Sequence, residues 1–82
     1  MNLLLVEDDK ELATELAYNL KNFYLVDLAY TAESGLYKAE TNNYQLLMID
    51  LGLPDFNGLE LIRELRSDEI QTPILILSGF NS

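Results

Sequence analysis

An open α/β sheet of parallel strands is the fold that this sequence predicts, and three observations predict it. Four apolar runs, Leu3-Leu4-Leu5-Val6, Tyr24 to Tyr30, Tyr44 to Asp50 and Ile74-Leu75-Ile76-Leu77, punctuate the chain. Runs without apolar–polar alternation suit strands buried on both faces, as parallel strands are. The stretches between them carry apolar residues at helical spacing, and strands alternating with helices give a parallel sheet with right-handed crossovers. The third observation is where the acids fall: the first run ends in Glu7-Asp8-Asp9 and the third ends in Asp50. Ligands of such sheets sit outside the carboxyl ends of the strands.

The elements follow in order. After the first strand, Leu12, Ala13, Leu16, Ala17 and Leu20 form a helical stripe, with Lys10, Glu11, Glu15 and Lys21 off it. Asp8 or Asp9 serves as its N-cap, and Glu11 suits its positive end. Asn22 ends this helix. Asp27 in the middle of the second run marks an edge strand, partly open to water. Thr31 is the N-cap of a second helix whose stripe is Ala32, Leu36 and Ala39, and Thr41-Asn42-Asn43 breaks it. The third strand runs into Leu51-Gly52-Leu53-Pro54-Asp55-Phe56, a turn built on Gly and Pro. Asn57 then caps a helix carrying Leu61, Ile62 and Leu65, which Ser67-Asp68-Glu69 closes. Thr72-Pro73 leads into the fourth strand, where Pro at the first position is tolerated.

The composition bounds the chemistry. At 82 residues the chain is one small domain or part of one, and a chain this short buries only about 60% of its unfolded surface. A hydrophobic content of 49% argues for a packed core rather than disorder. The absence of Cys and His removes disulfides, thiolate metal sites, a His-based triad and a typical zinc site. With 14 acids against 5 bases the net charge is −9, which disfavours binding to a nucleic acid backbone and favours cations and basic partner surfaces. The N-terminus has no basic flank and only a brief apolar run, so a soluble cytoplasmic protein without a membrane span is expected.

If the first and third strands are neighbours, Glu7, Asp8 and Asp50 converge at one edge of the sheet. Three like charges there repel and raise one another's pKa, and a divalent cation relieves this. Mg²⁺ takes hard oxygen ligands, and two carboxylates plus a backbone carbonyl of the Leu51-Gly52 turn would suit it. A cation so held can neutralise phosphate oxygens and make a carboxylate a phosphoryl acceptor. Ser78, at the end of the fourth strand, would offer a hydroxyl to such a group. The plainer readings are a capping acid cluster at the first helix, a turn-initiating Asp50 and an ordinary loop serine.

Leu4-Leu5-Val6-Glu7-Asp8-Asp9, Ile49-Asp50-Leu51-Gly52-Leu53-Pro54-Asp55-Phe56-Asn57-Gly58 and Pro73-Ile74-Leu75-Ile76-Leu77-Ser78-Gly79 together resemble the receiver domain of a two-component response regulator. The turn after Asp50 looks most like the class whose output domain is a winged-helix DNA binder. The resemblance implies a flavodoxin-like sheet in the order 2-1-3-4 for the strands present, with residues 1–82 the N-terminal part of the domain. It implies that Asp50 is the phosphoacceptor, charged by a histidine kinase, with Mg²⁺ as cofactor. Asp8 and Asp50 would be metal ligands, Gly52 would lend its backbone carbonyl, and Glu7 would act through a water. Ser78 stands where the family has a hydroxyl that follows the phosphoryl group.

The chain also departs from that pattern. The family's fourth helix, fifth strand and fifth helix are not in it, nor are the Lys that pairs with the phosphoryl group and the switch aromatic. Slow or poorly coupled phosphorylation is therefore expected, and so is self-association through the bare edge of the fourth strand or an uncovered apolar face. The competing reading is a Mg²⁺-binding interaction module without effective phosphotransfer. A phosphatase with an aspartyl nucleophile is disfavoured, because such enzymes carry a second Asp where this chain has Gly52.

Overall fold

The computed structural model describes residues 1–77, and within them the sequence forms β1 (Asn2–Val6), α1 (Lys10–Leu20), β2 (Leu25–Ala29), α2 (Ala32–Thr41), β3 (Leu46–Ile49), α3 (Gly58–Ser67) and β4 (Ile74–Ile76). The strands make one parallel sheet in the order β2-β1-β3-β4, the expected flavodoxin-like arrangement. β1 begins one residue before its apolar run, at Asn2, whereas β2, β3 and β4 are one to three residues shorter than theirs, since terminal residues such as Tyr24 and Tyr44 lie outside the ladder.

The continuous apolar character of β1 has a direct cause. Leu4 and Val6 pack with Leu47, Ile49, Leu61 and Leu65 under α2 and α3. Leu3 and Leu5 pack with Ala13 and Met48 under α1. Both faces of the strand are thus covered, and Leu3, Leu4, Leu5 and Val6 are fully buried. α2 lies close to the sheet at Gly35, where an added Cβ would sit 2.9 and 3.0 Å from the two Val6 methyl carbons. Leu12 departs from the expected helical stripe and is substantially exposed, leaving Ala13, Leu16 and Leu20 to seat α1.

Asp27 is exposed on the edge strand β2, as its charge predicts. Its carboxylate also accepts a 2.7 Å hydrogen bond from the Tyr44 hydroxyl, which reaches over β1 from the start of β3. Burial and then the Asp27 carboxylate push the Tyr44 phenol pKa up. α3 ends in a Schellman motif. The Ile70 amide donates to Leu65 O and the Glu69 amide to Arg66 O, with Glu69 at φ 65° in the position usually held by Gly.

Candidate functional site

Pairing in the sheet brings the acids together. Val6 of β1 sits opposite both Ala29 of β2 and Ile49 of β3, so the three strands end level. Each ladder runs one residue further, with the Glu7 amide donating to Ala29 O (2.9 Å) and the Asp50 amide to Val6 O (3.0 Å). Glu7-Asp8 and Asp50 therefore leave neighbouring strands at the same edge. One carboxylate oxygen from each of Glu7, Asp8 and Asp50 lies within 4.8 Å of the others. Glu7 is buried, Asp50 half-buried and Asp8 exposed.

The α1 N-cap is Asp9, whose side chain accepts from the Leu12 amide at 3.1 Å. This settles the choice between Asp8 and Asp9 and leaves the Asp8 carboxylate facing the cluster. Glu7 accepts from the Asp9 amide at 3.0 Å. Burial pushes the Glu7 carboxyl above its ordinary pKa; that amide works against the rise, and the charges of Asp50 and Asp8 add to it.

Four of the five basic side chains make contacts elsewhere. Lys10 lies over the Tyr30 ring and Lys21 over the Tyr18 ring. Lys38 donates to Leu28 O and Arg66 to Ile70 O. Three convergent acids with no cation against them among these contacts form a hard, anionic oxygen set. Oxygen ligands of Mg²⁺ stand about 2.1 Å from the ion, so carboxylate oxygens within 4.8 Å of one another have a spacing that one shared ion, directly or through its waters, can serve. The donor set fits Mg²⁺.

The loop from β3 to α3 completes the site. Leu51 and Leu53 are buried and anchor it. Gly52 between them is exposed, and a Cβ there would stand 3.6 Å from Asp50 Oδ2, an ordinary contact beside that carboxylate. Asn57 caps α3 by accepting from the Glu60 amide, as its residue type predicts. Ser78 lies outside the described residues.

Two residues of this loop have roles that the linear sequence does not announce. The Gly58 amide donates to Leu51 O at 2.9 Å, and a Cβ on Gly58 would lie 2.6 Å from Asp50 O and 2.8 Å from Leu51 Cα. Helix α3 can begin this close to the acidic site only because residue 58 has no side chain. Asp55 accepts from the amides of Ala32 and Glu33 at the start of α2, each at 2.8 Å. Burial acts to raise the Asp55 pKa, but hydrogen bonds from Ala32, Glu33 and its own loop amides outweigh it and hold the carboxyl below its usual value.

Comparison with known proteins agrees with this geometry. Residues 3–82 match the family model described as the response regulator receiver domain. The chain is 45% identical over 79 residues to the response regulator ArlR of Staphylococcus haemolyticus, covering 95% of this chain and 36% of that protein. It spans little more than a third of the length of the curated relatives it matches. Among solved structures it resembles the response regulator TrrA of Thermotoga maritima in complex with Mg²⁺ and BeF, with TM-score 0.90 and 29% identity, covering 99% of this chain and 72% of that one. It also resembles a response regulator of Burkholderia pseudomallei with a phosphorylated aspartic acid, calcium ion and citrate, with TM-score 0.87 and 30% identity over 99% of this chain and 48% of that one. An acidic triad at the carboxyl edge of a 2-1-3-4 parallel sheet, together with a family match over nearly every residue, leads to one conclusion: this chain belongs to the response regulator receiver domain family.

Proposed function

We propose that the chain is the phosphoacceptor part of a two-component system and that Asp50 takes the phosphoryl group. The convergence of the Glu7, Asp8 and Asp50 carboxylates within 4.8 Å carries the reading, because that arrangement repels itself unless a cation is bound. Asp8 and Asp50 would hold Mg²⁺, with the Gly52 carbonyl as a further ligand and Glu7 acting through a water. Bound there, the metal supplies charge neutralisation for phosphoryl oxygens. An Asp50 oxygen attacks the phosphorus of a kinase phosphohistidine. The new O–P bond forms as the N–P bond breaks, and the imidazole leaves. Ser78 supplies a hydroxyl to the transferred group. The similar response regulators solved with Mg²⁺ and BeF or with a phosphorylated aspartic acid support this reading.

On this reading the domain signals rather than turns over a substrate, with at most Mg²⁺-dependent self-phosphorylation and dephosphorylation. Its output is transcription, through a winged-helix domain of the kind the resemblance implies, and its location is cytoplasmic. Among the described residues, no helix is long and apolar enough to cross a membrane. Incubation with Mg²⁺ and acetyl phosphate is expected to add the mass of one phosphoryl group, and Asp50→Asn is expected to abolish the gain. No gain in the parent chain would leave a Mg²⁺-binding interaction module in its place.

The edge strand β4 supports a further part of the reading. Leu75 is 51% exposed and Ile76 47% exposed. Among the described residues β4 pairs with β3 alone, and an apolar edge of that kind templates pairing with another strand. A second copy of the chain is expected to dock there or on the neighbouring apolar face. Light scattering after size exclusion should report a dimer or larger species; a folded monomer at micromolar concentration would overturn this.

A further inference from the structure

We infer that Asp55 is a positioning residue that holds the Gly52 carbonyl in place by clasping the N-terminus of α2, so that metal occupancy and order at the start of α2 are linked. The inference rests on the proposed Mg²⁺ site and deepens it. Helix α2 already has its own cap, since Thr31 Oγ1 accepts from the Ser34 amide and Thr31 O from the Gly35 amide. Asp55 adds both of its oxygens to the two remaining amides, Ala32 and Glu33, from a loop more than twenty residues further along the chain.

The clasp has a stiff route to the site. Only Leu53 and Pro54 separate Asp55 from Gly52. Leu53 is buried in the core, and the proline ring fixes φ at residue 54 and narrows the choices at residue 53. On its other side Gly52 follows Leu51, which is buried and whose carbonyl is held by the Gly58 amide. The exposed glycine therefore hangs between two anchors, one in its own loop and one on α2.

The contacts also close a circuit. Glu7 is tied to the end of β2 through Ala29 O, and Lys10 lies 5.0 Å over the ring of Tyr30, next to the Thr31 cap. Asp55 ties α2 to the β3–α3 loop, and the Asp50 amide returns to Val6 O. Each of the three loops around the acids is bonded to the next. Linkage is reciprocal, so a metal that orders the Gly52 loop must also hold α2's first amides closed more of the time.

The test is amide hydrogen exchange by NMR with and without Mg²⁺, together with Mg²⁺ titration of the parent chain, Asp55→Ala and Asp55→Asn. In the parent, Mg²⁺ should slow exchange at Ala32 and Glu33. Asp55→Ala should bind Mg²⁺ at least about fivefold more weakly and lose the metal dependence of exchange at those amides. Asp55→Asn, which keeps one acceptor oxygen, should fall between. A folded Asp55→Ala with the parent's affinity would show a helix cap and nothing more, leaving the metal site itself standing. If Asp55→Ala does not fold, exchange in the parent decides: rates at Ala32 and Glu33 that ignore saturating Mg²⁺ overturn the linkage. A parent chain that binds no Mg²⁺, or whose binding survives Asp50→Asn, overturns the proposed site and the linkage with it.

Discussion

Mg²⁺ at about one hundred times its dissociation constant should stabilise the folded chain by about 2.7 kcal/mol, since it binds the folded state only. For a domain of this size that corresponds to a rise in melting temperature on the order of 10 °C. Asp50→Asn and Asp8→Asn should lose the gain. In the absence of metal, Asp50→Asn should be no less stable than the parent, because it removes one of the charges that crowd Glu7. A destabilised, metal-free Asp50→Asn would mean that the three acids do not repel as their positions require.

The pH dependence has a definite sign. Glu7 holds its proton more tightly in the folded chain than in the unfolded one, where its pKa is near 4.5. Its contribution to stability is fully present below that value and is lost as pH rises through the folded pKa. The metal-free chain should therefore gain stability from this group as pH falls through its raised pKa towards 4.5, and Mg²⁺ should remove the trend by taking the place of the proton. Glu40, raised first by a hydrogen bond with Asp68 and further by its neighbours, titrates in the same direction. Asp55, held below its usual value of 3.8, works oppositely but only at lower pH. Thermal melts of Glu7→Gln against the parent separate Glu7 from both; an unchanged slope in that variant would remove Glu7 as the cause.

Gly58→Ala should cost about 3 kcal/mol, at the upper end for an added methyl group in a packed region. The new Cβ meets backbone rather than a flexible side chain, at 2.6 Å from Asp50 O and 2.8 Å from Leu51 Cα. Either α3 tilts away at its first turn or the segment carrying Asp50 moves, and Mg²⁺ affinity should fall with stability. Gly52→Ala provides the contrast. Its Cβ would make an ordinary 3.6 Å contact with Asp50 Oδ2, so urea unfolding should show a far smaller change. Equal costs at the two positions would refute the packing explanation.

Much of the fold was readable in the sequence because it depends on local signals. Thr31 and Asn57 act as caps where their side chains predict, and Asp27 marks the edge strand. Asp9 rather than Asp8 capped α1, a choice that two adjacent acids leave open in sequence. Leu12 turned outward because the small Ala13 seats the helix against β1, and spacing alone does not say where a stripe is centred.

The sequence by itself determined that two apolar strands end in acids, that a Gly/Pro turn follows Asp50 and that the family motifs stand in order. Those are properties of neighbouring residues. Only the tertiary structure decided that Glu7, Asp8 and Asp50 meet, because this depends on β1 and β3 being adjacent with Val6 opposite Ile49. It alone showed why residue 58 must be glycine and what Asp55 grips. Contacts between groups more than twenty residues apart leave no mark on the spacing of either segment, since nothing local to Ala32 or to Asp55 depends on the other until the sheet has brought them together.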